Sequence, residues 1–256
     1  MRLPRRLGHD EAAGLTDHLG ELRARLVVVL VALAAGFAIG YGFHHQLIDW
    51  LNQALPAHRR KPVTFGVAEP FMTSLKVSLY AGFAIALPVI LWQVWSFLAP
   101  AVRKGAEKSI FGFVAFASLL FAAGIAFGHK VALPAAVHFL TNYDSGIYDI
   151  QIRASSYYSF ALLSLLAVGI VFELPVFILG LVRFRILTAA KLRRNRRIGY
   201  VTMAALAVAL PGVDPVTTVF EMIPLMILFE GSIWLSVIFE RRWRPELRTP
   251  LTAAKI

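Results

Sequence analysis

The chain has 256 residues, of which 58% are hydrophobic, only 16% are charged and none is Cys, and its mean hydropathy is +0.66. A soluble globular chain carries about a quarter charged residues, so composition argues against a pair of small soluble domains and for a polytopic membrane protein; the missing Cys excludes thiolate metal sites, Cys nucleophiles and disulfides. The net charge of +11 fits nucleic acid, an acidic surface or anionic lipid until the charges are placed along the chain.

The first 25 residues are polar, and an apolar run from Leu26 to Phe43 follows directly. It ends without a small-residue cleavage site, so it reads as a retained first span rather than a secretory signal. A second run covers Val77 to Leu98 and stops at Ala99-Pro100, a third covers Ile110 to Phe127, and a fourth covers Tyr157 to Val182. Between them, Ile48 to Thr73 and Val131 to Ser156 mix aromatic and polar residues and are expected to pack as short helices over one face. The fifth run, Ile198 to Leu210, is about 13 residues or roughly 20 Å, short of a hydrocarbon core of about 30 Å. The sixth, Val216 to Phe239, is interrupted by Glu221, Pro224 and Glu230. Pro211-Gly212-Val213-Asp214-Pro215 separates the last two as a turn that no helix crosses.

Six segments place both termini on one face. That face carries 20 of the 26 Lys and Arg, and the other carries 6, among them Arg59, Arg60 and Lys61. The positive-inside rule then puts both termini in the cytoplasm, and the charge needs no nucleic acid to explain it, since no binding module is recognisable. The expected organisation is one membrane domain over 26–240, flanked by cytoplasmic segments 1–25 and 241–256. The two halves share no repeat, which counts against an inverted-repeat transporter.

Four carboxylates lie in or beside the apolar runs. Glu173, in Val171-Phe172-Glu173-Leu174-Pro175, falls about ten residues, roughly 15 Å, before Arg183. A charge near the bilayer centre costs about 2.5 to 3.5 kcal/mol on insertion scales, so Glu173 is expected to be protonated, wetted or paired. Pro175 frees carbonyls one turn back and would help wet it. Glu221 and Glu230 read as residues near a boundary of a short, tilted last helix, and Asp214 as a cap for that helix. On the basic face, Glu21 and Arg25 stand four apart in the stabilising order, and Glu107 sits between Lys104 and Lys108. Carboxylates there also suit a ligand arginine, whose planar fork they match bidentately. No G-x-S-x-G, H-E-x-x-H, P-loop or G-x-G-x-x-G occurs, and the seven His lack metal-ligand spacing; nothing argues for an enzyme, a metal or a cofactor. A proton-coupled small-solute transporter titrating Glu173 is the alternative.

His18-Leu19-Gly20-Glu21-Leu22-Arg23-Ala24-Arg25-Leu26, Ala68-Glu69-Pro70-Phe71, the stretch Pro88 to Pro100, Phe172-Glu173-Leu174-Pro175-Val176 and Pro211 to Pro215 together resemble the TatC family, the multispan receptors of the twin-arginine protein translocase. The resemblance implies an all-α, six-span membrane protein with both ends in the cytoplasm, two short last helices and a concave, cup-like bundle in the bacterial inner membrane. It also implies binding of twin-arginine signal peptides of folded precursors, assembly with the single-span proteins TatA and TatB and with further copies of itself, and export driven by the proton-motive force. In the family, the glutamate of the amino-terminal motif and one in the first cytoplasmic loop receive the two arginines. Glu21 holds the first position, and Glu107 lies one residue after the second, which is occupied by Ala106. Arg23 and Arg25 match family arginines, Phe97, Pro100 and Lys104 fall on the wall of the binding loop, Glu173 matches the intramembrane glutamate, and Asp214 the outer-turn aspartate. Asp214 and Glu230 are the expected turn or partner contacts. Short last helices would thin the bilayer or open a water-accessible wall facing Glu173.

Overall fold

The computed structural model describes residues 15–98, 107–212 and 214–243, and is all-helical apart from one isolated β-bridge. Helix α1 (Leu15–Gly42) starts well before the first apolar run, so the polar motif around Glu21 belongs to the same rod as the span. Its partner is α3 (Glu69–Leu98). The two backbones nearly touch, because the contact is made by residues without bulk. A Cβ added at Gly82 would lie 2.6 Å from the Phe37 nitrogen, and one at Gly40 would lie 2.8 Å from the Ser78 carbonyl oxygen. Hydrocarbon offers no hydrophobic drive for helix pairing, so this close van der Waals approach holds α1 in place.

Between these helices lie α2 (His44–Asn52) and a single 3-10 turn. They form a cap with α5 (Leu133–Asn142) and the start of α6 (Ala154–Val171). Leu51, Leu133, Tyr157 and Leu165 belong to the buried cluster under it. The Tyr157 hydroxyl donates to the Leu51 carbonyl at 2.6 Å, and Tyr158 to Asn52 Oδ1 at 2.9 Å. This bears out the expectation of short helices packed over one face.

The third span is longer than the apolar run implies. Helix α4 (Glu107–Phe127) does not stop at Phe127; it passes through a π-turn, Gly128–Ala132, directly into α5. Pro134 lacks an N–H and crowds the carbonyl four residues back. The wider turn before it, closed by the Leu133 N–H on the Gly128 carbonyl, lets the helix continue.

The fourth span is broken: α6 ends at Val171, and α7 (Leu174–Arg183) restarts beyond Glu173. Pro175 removes the donor for the Val171 carbonyl, and the junction tightens to three-residue bonds, Glu173 N–H to Ile170 O at 3.0 Å and Val176 N–H to Glu173 O at 2.9 Å. A short α8 (Ala189–Arg194) leads into α9 (Arg196–Ala209), whose 14 residues span only about 21 Å. The expectation of a short last helix is not met. Helix α10 (Pro215–Trp243) is 29 residues long and carries Pro224 inside it. One proline costs one backbone bond and a bend, a loss that neighbouring helices absorb in a membrane protein. Glu221 lies near the start of α10, as expected of a residue near a boundary, and is buried on its inward face.

Among the described residues, five helical stretches are long and apolar enough to cross a membrane: Leu19–Gly42, Glu69–Phe97, Phe111–Asn142, Ala154–Arg183 and Pro215–Glu240. Substituting Gly82 with Leu should force α1 and α3 apart and lower the thermal midpoint of the purified protein in detergent, by an overpacking cost of about 1 to 3 kcal/mol. Gly42, with nothing within 4 Å of its added Cβ, should accept Ala with no loss.

Candidate functional site

The polar residues sort into three levels along the bundle. At the basic end, the first turns of α1 bring Glu21 and Arg25 onto one face, as four-residue spacing requires. Arg25 Nε donates to Glu21 Oε1 at 3.0 Å, and Arg25 Nη1 donates to Gln93 Oε1 at 3.2 Å near the end of α3. The Glu21 and Arg25 side chains retain 24% and 22% of their exposure, so the pair is wet and worth at most about 1 kcal/mol. Both bonds from Arg25 go to Oε1, and Oε2 accepts none among the described residues. Arg23 points into the open, and Phe97 sits in the last turn of α3 on the same end. Pro100 and Lys104 lie outside the described residues; Glu107 opens α4, and its side chain also lies outside what is described. The structure therefore brings together Glu21, Arg25 and a residue that sequence reasoning missed, Gln93. Its signal was present: an amide inside the otherwise apolar Leu91-Trp92-Gln93-Val94.

At mid-depth, Glu173 occupies the break between α6 and α7, ahead of Leu174 and Pro175. It is partly buried, and its Oε1 has no hydrogen-bond partner among the described residues. The α7 segment of ten residues puts it about 15 Å from Arg183, in agreement with the spacing argument. Glu230, half a bundle away on α10, is differently placed. Its Oε2 accepts from Arg196 at 3.0 Å and its Oε1 from the Tyr200 hydroxyl, so it clamps α9 to α10 within the chain. Glu240 ties α8 to α10 in the same way, accepting the Ala189 N–H at 2.8 Å.

At the capped end, Asp214 caps α10 as its position in the turn predicts: Oδ1 accepts the Thr217 N–H at 2.7 Å. A pairing that sequence reasoning missed anchors the cap. Glu69 receives Arg153 Nε at 3.1 Å and the N–H groups of Phe65 at 3.0 Å and Ser155 at 2.9 Å. Beside it, the Val63 N–H donates to the Ile152 carbonyl, and the Ala154 N–H to the Val63 carbonyl. Eighty-four residues separate Glu69 from Arg153, and no local pattern announces such a pair.

The profile of the Sec-independent protein translocase protein (TatC) family matches residues 17–224. The chain is 35% identical over 228 residues to the Sec-independent protein translocase protein TatC of Carboxydothermus hydrogenoformans, covering 89% of this chain and 94% of that one. It is 31% identical to TatCd of Bacillus subtilis, covering 91% and 95%. It is 33% identical to the chloroplastic TATC of Arabidopsis thaliana, covering 90% of this chain and 68% of that one. Among solved structures, the twin-arginine translocase receptor TatC in DDM superposes with a TM-score of 0.74 at 30% identity, over 86% of this chain and 99% of that one.

Because Glu230 joins two helices through one carboxylate, Glu230→Ala should loosen the α9–α10 pair and lower thermal stability in detergent by about 1 kcal/mol. Glu230→Gln, which keeps an acceptor for Tyr200, should retain part of it.

Proposed function

This chain belongs to the TatC family of Sec-independent protein translocase proteins, and from that premise we propose that it is the receptor for twin-arginine signal peptides at the membrane surface. It is a multispan translocase subunit; the finer reading concerns which residues take the signal and how the chain sits. The observation that carries it is the half-engaged Glu21. Arg25 holds Oε1 and so fixes the rotamer of the carboxylate, while Oε2 is left to accept a guanidinium. The internal pair is weak and a charge-assisted bond from an incoming arginine is stronger, so the signal competes for Glu21 at little cost. Gln93, with its amide bonded to Arg25, keeps that guanidinium from swinging across the carboxylate.

The second arginine of the signal is assigned to Glu107, with Phe97 and Pro100 as the wall of the site and Arg23 and Lys104 as its basic rim. In this reading both termini lie in the cytoplasm, following the distribution of Lys and Arg. Helix α9 makes a sixth, short crossing beside α10, and the bilayer thins there. Glu173 offers a polar contact at mid-depth to a penetrating signal peptide or a partner helix. TatA and TatB are the partners, further copies of this chain assemble with it, and the proton-motive force of the inner membrane drives export.

Photocrosslinking at position 21 tests the site directly. Glu21→Ala should weaken binding of a twin-arginine precursor by about tenfold or more while the protein stays membrane-inserted, and Glu107→Ala should act in the same direction. A twin-lysine precursor should crosslink poorly to the unmodified protein; undiminished crosslinking in both variants would overturn the site. For Glu173, export should fall further with Leu than with Gln, and wild-type export with Leu would leave it without a functional contact.

A further inference from the structure

Helix α10 buries a row of polar side chains on its inward face. Asp214, Thr217 and Glu221 are each 2% exposed, and Ser232 and Ser236 are fully buried. The first three fall at spacings of three and four, so they share one face at the capped end. Asp214 Oδ2, Thr217 Oγ1 and both oxygens of Glu221 have no hydrogen-bond partner among the described residues. Thr217 and Glu221 line a small cleft of about 10 Å³, room for about one water, with Gly128, Ala132, Ser164 and Pro211.

We propose that Asp214 and Glu221 form a proton site: a carboxyl pair, joined to Thr217 through water in that cleft, that holds one exchangeable proton. This goes beyond the receptor reading and does not depend on it.

Charge forces the proton onto the pair. Two carboxylates ionised together in a low-dielectric interior repel strongly and lose hydration that nothing replaces. Among the described residues no cation lines the cleft, and Lys130 on the π-turn is exposed. The π-turn and α5 contribute Gly128, Ala132, Leu133 and Ala136 to the cleft, and α6 contributes Phe160, Ser164 and Val168. On the other side of Glu221 lie Phe127, Val171, Phe172, Leu210 and Leu225. His129, the nearest titratable group on the π-turn, is turned away: its ring stacks on Trp50 at 3.8 Å, and its Nε2–H donates to the Trp50 carbonyl at 2.8 Å.

The two acids are not equivalent. Asp214 accepts a backbone N–H at the amino terminus of α10, where the helix dipole favours a negative charge. It stays ionised. Glu221 has no such support, so it takes the proton. As an acid it becomes a donor, and water held between Asp214 Oδ2 and Thr217 Oγ1 has the two or more polar partners that a buried water requires. Glu221 lies seven residues into α10, about 9 Å from its start. The site is thus close to the capped surface.

Labelling the purified full-length protein with the apolar reagent dicyclohexylcarbodiimide, which adds to protonated carboxyls in apolar surroundings, tests this. Peptide mapping should find an adduct at Glu221 at neutral pH, and its formation should fall about tenfold per pH unit once the proton is lost. Glu221→Gln should abolish that adduct, and Asp214→Asn, which removes the second carboxylate of the pair, should lower its yield at a fixed pH. Infrared difference spectra between neutral and alkaline pH read the same proton without a reagent: a protonated-carboxyl stretch should disappear in Glu221→Gln. Absence of that band from the unmodified protein, labelling of Glu221 independent of pH, or protection of Glu221 by Na⁺ or Ca²⁺ in place of H⁺ would each overturn the proposal.

Discussion

The absence of water in the bilayer core governs this molecule more than any other constraint. A polar group there finds a partner within the protein, takes a proton or costs several kcal/mol. The chain meets that demand differently at each level. At the capped end, Glu69 is saturated by Arg153 and by backbone N–H groups that no helix uses, and this turns two loops into one rigid lid. Along α10, Glu230 and Glu240 are spent on α9 and α8. These bonds let a 14-residue helix too short to fill the bilayer stay registered against one of 29 residues. Packing alone would hold α9 poorly, although Gly199 lets the ring of Phe229 approach its backbone closely.

Against that background, the carboxylates that are not saturated stand out. Glu21 keeps one oxygen free at a wet surface, where leaving it free costs little. Glu173 and Glu221 keep unpartnered oxygens in places where doing so is expensive. Stability alone would favour replacing either with a hydrocarbon of similar size. Their depths separate them: Glu21 lies at the basic surface, Glu173 at the break between α6 and α7, and Glu221 near the capped end of α10.

Much of this was legible in the residues. Hydropathy located every long helix, because about 20 apolar residues in a row admit few other outcomes. The Asp214 cap and the Glu21–Arg25 pair followed from spacings of three and four. The errors came where a local signal was outweighed by its surroundings. The apolar run of the third span ended at Phe127, but the helix continued past it by widening one turn ahead of Pro134. Pro224 and Glu221 seemed to shorten the last helix, but Pro224 costs a single bond and Glu221 faces inward. The Glu69–Arg153 pair was illegible for a different reason: its partners meet only after three helices have folded back on one another, and no periodicity spans that distance. Gln93 stood in plain view as a lone amide among Trp and Leu, and its role needed the α1–α3 contact to be seen.

That contact explains why the receptor end and the core need not move together. Helix α1 is held by α3 through glycines and is otherwise exposed along much of its length, so Glu21 sits on the most weakly embedded of the long helices. Glu173, Glu221 and Glu230 sit on α6, α7 and α10, which share a common buried cluster built on Val168, Phe172, Leu225 and Phe229. A ligand that binds only at Glu21 perturbs one helix. A ligand that also reaches Glu173 enters the break between α6 and α7, beside Phe172, and Phe172 lines the same small cleft as Glu221. Phe172 thus joins the break that holds Glu173 to the buried face of α10 that holds Glu221, so a change of packing at one is felt at the other.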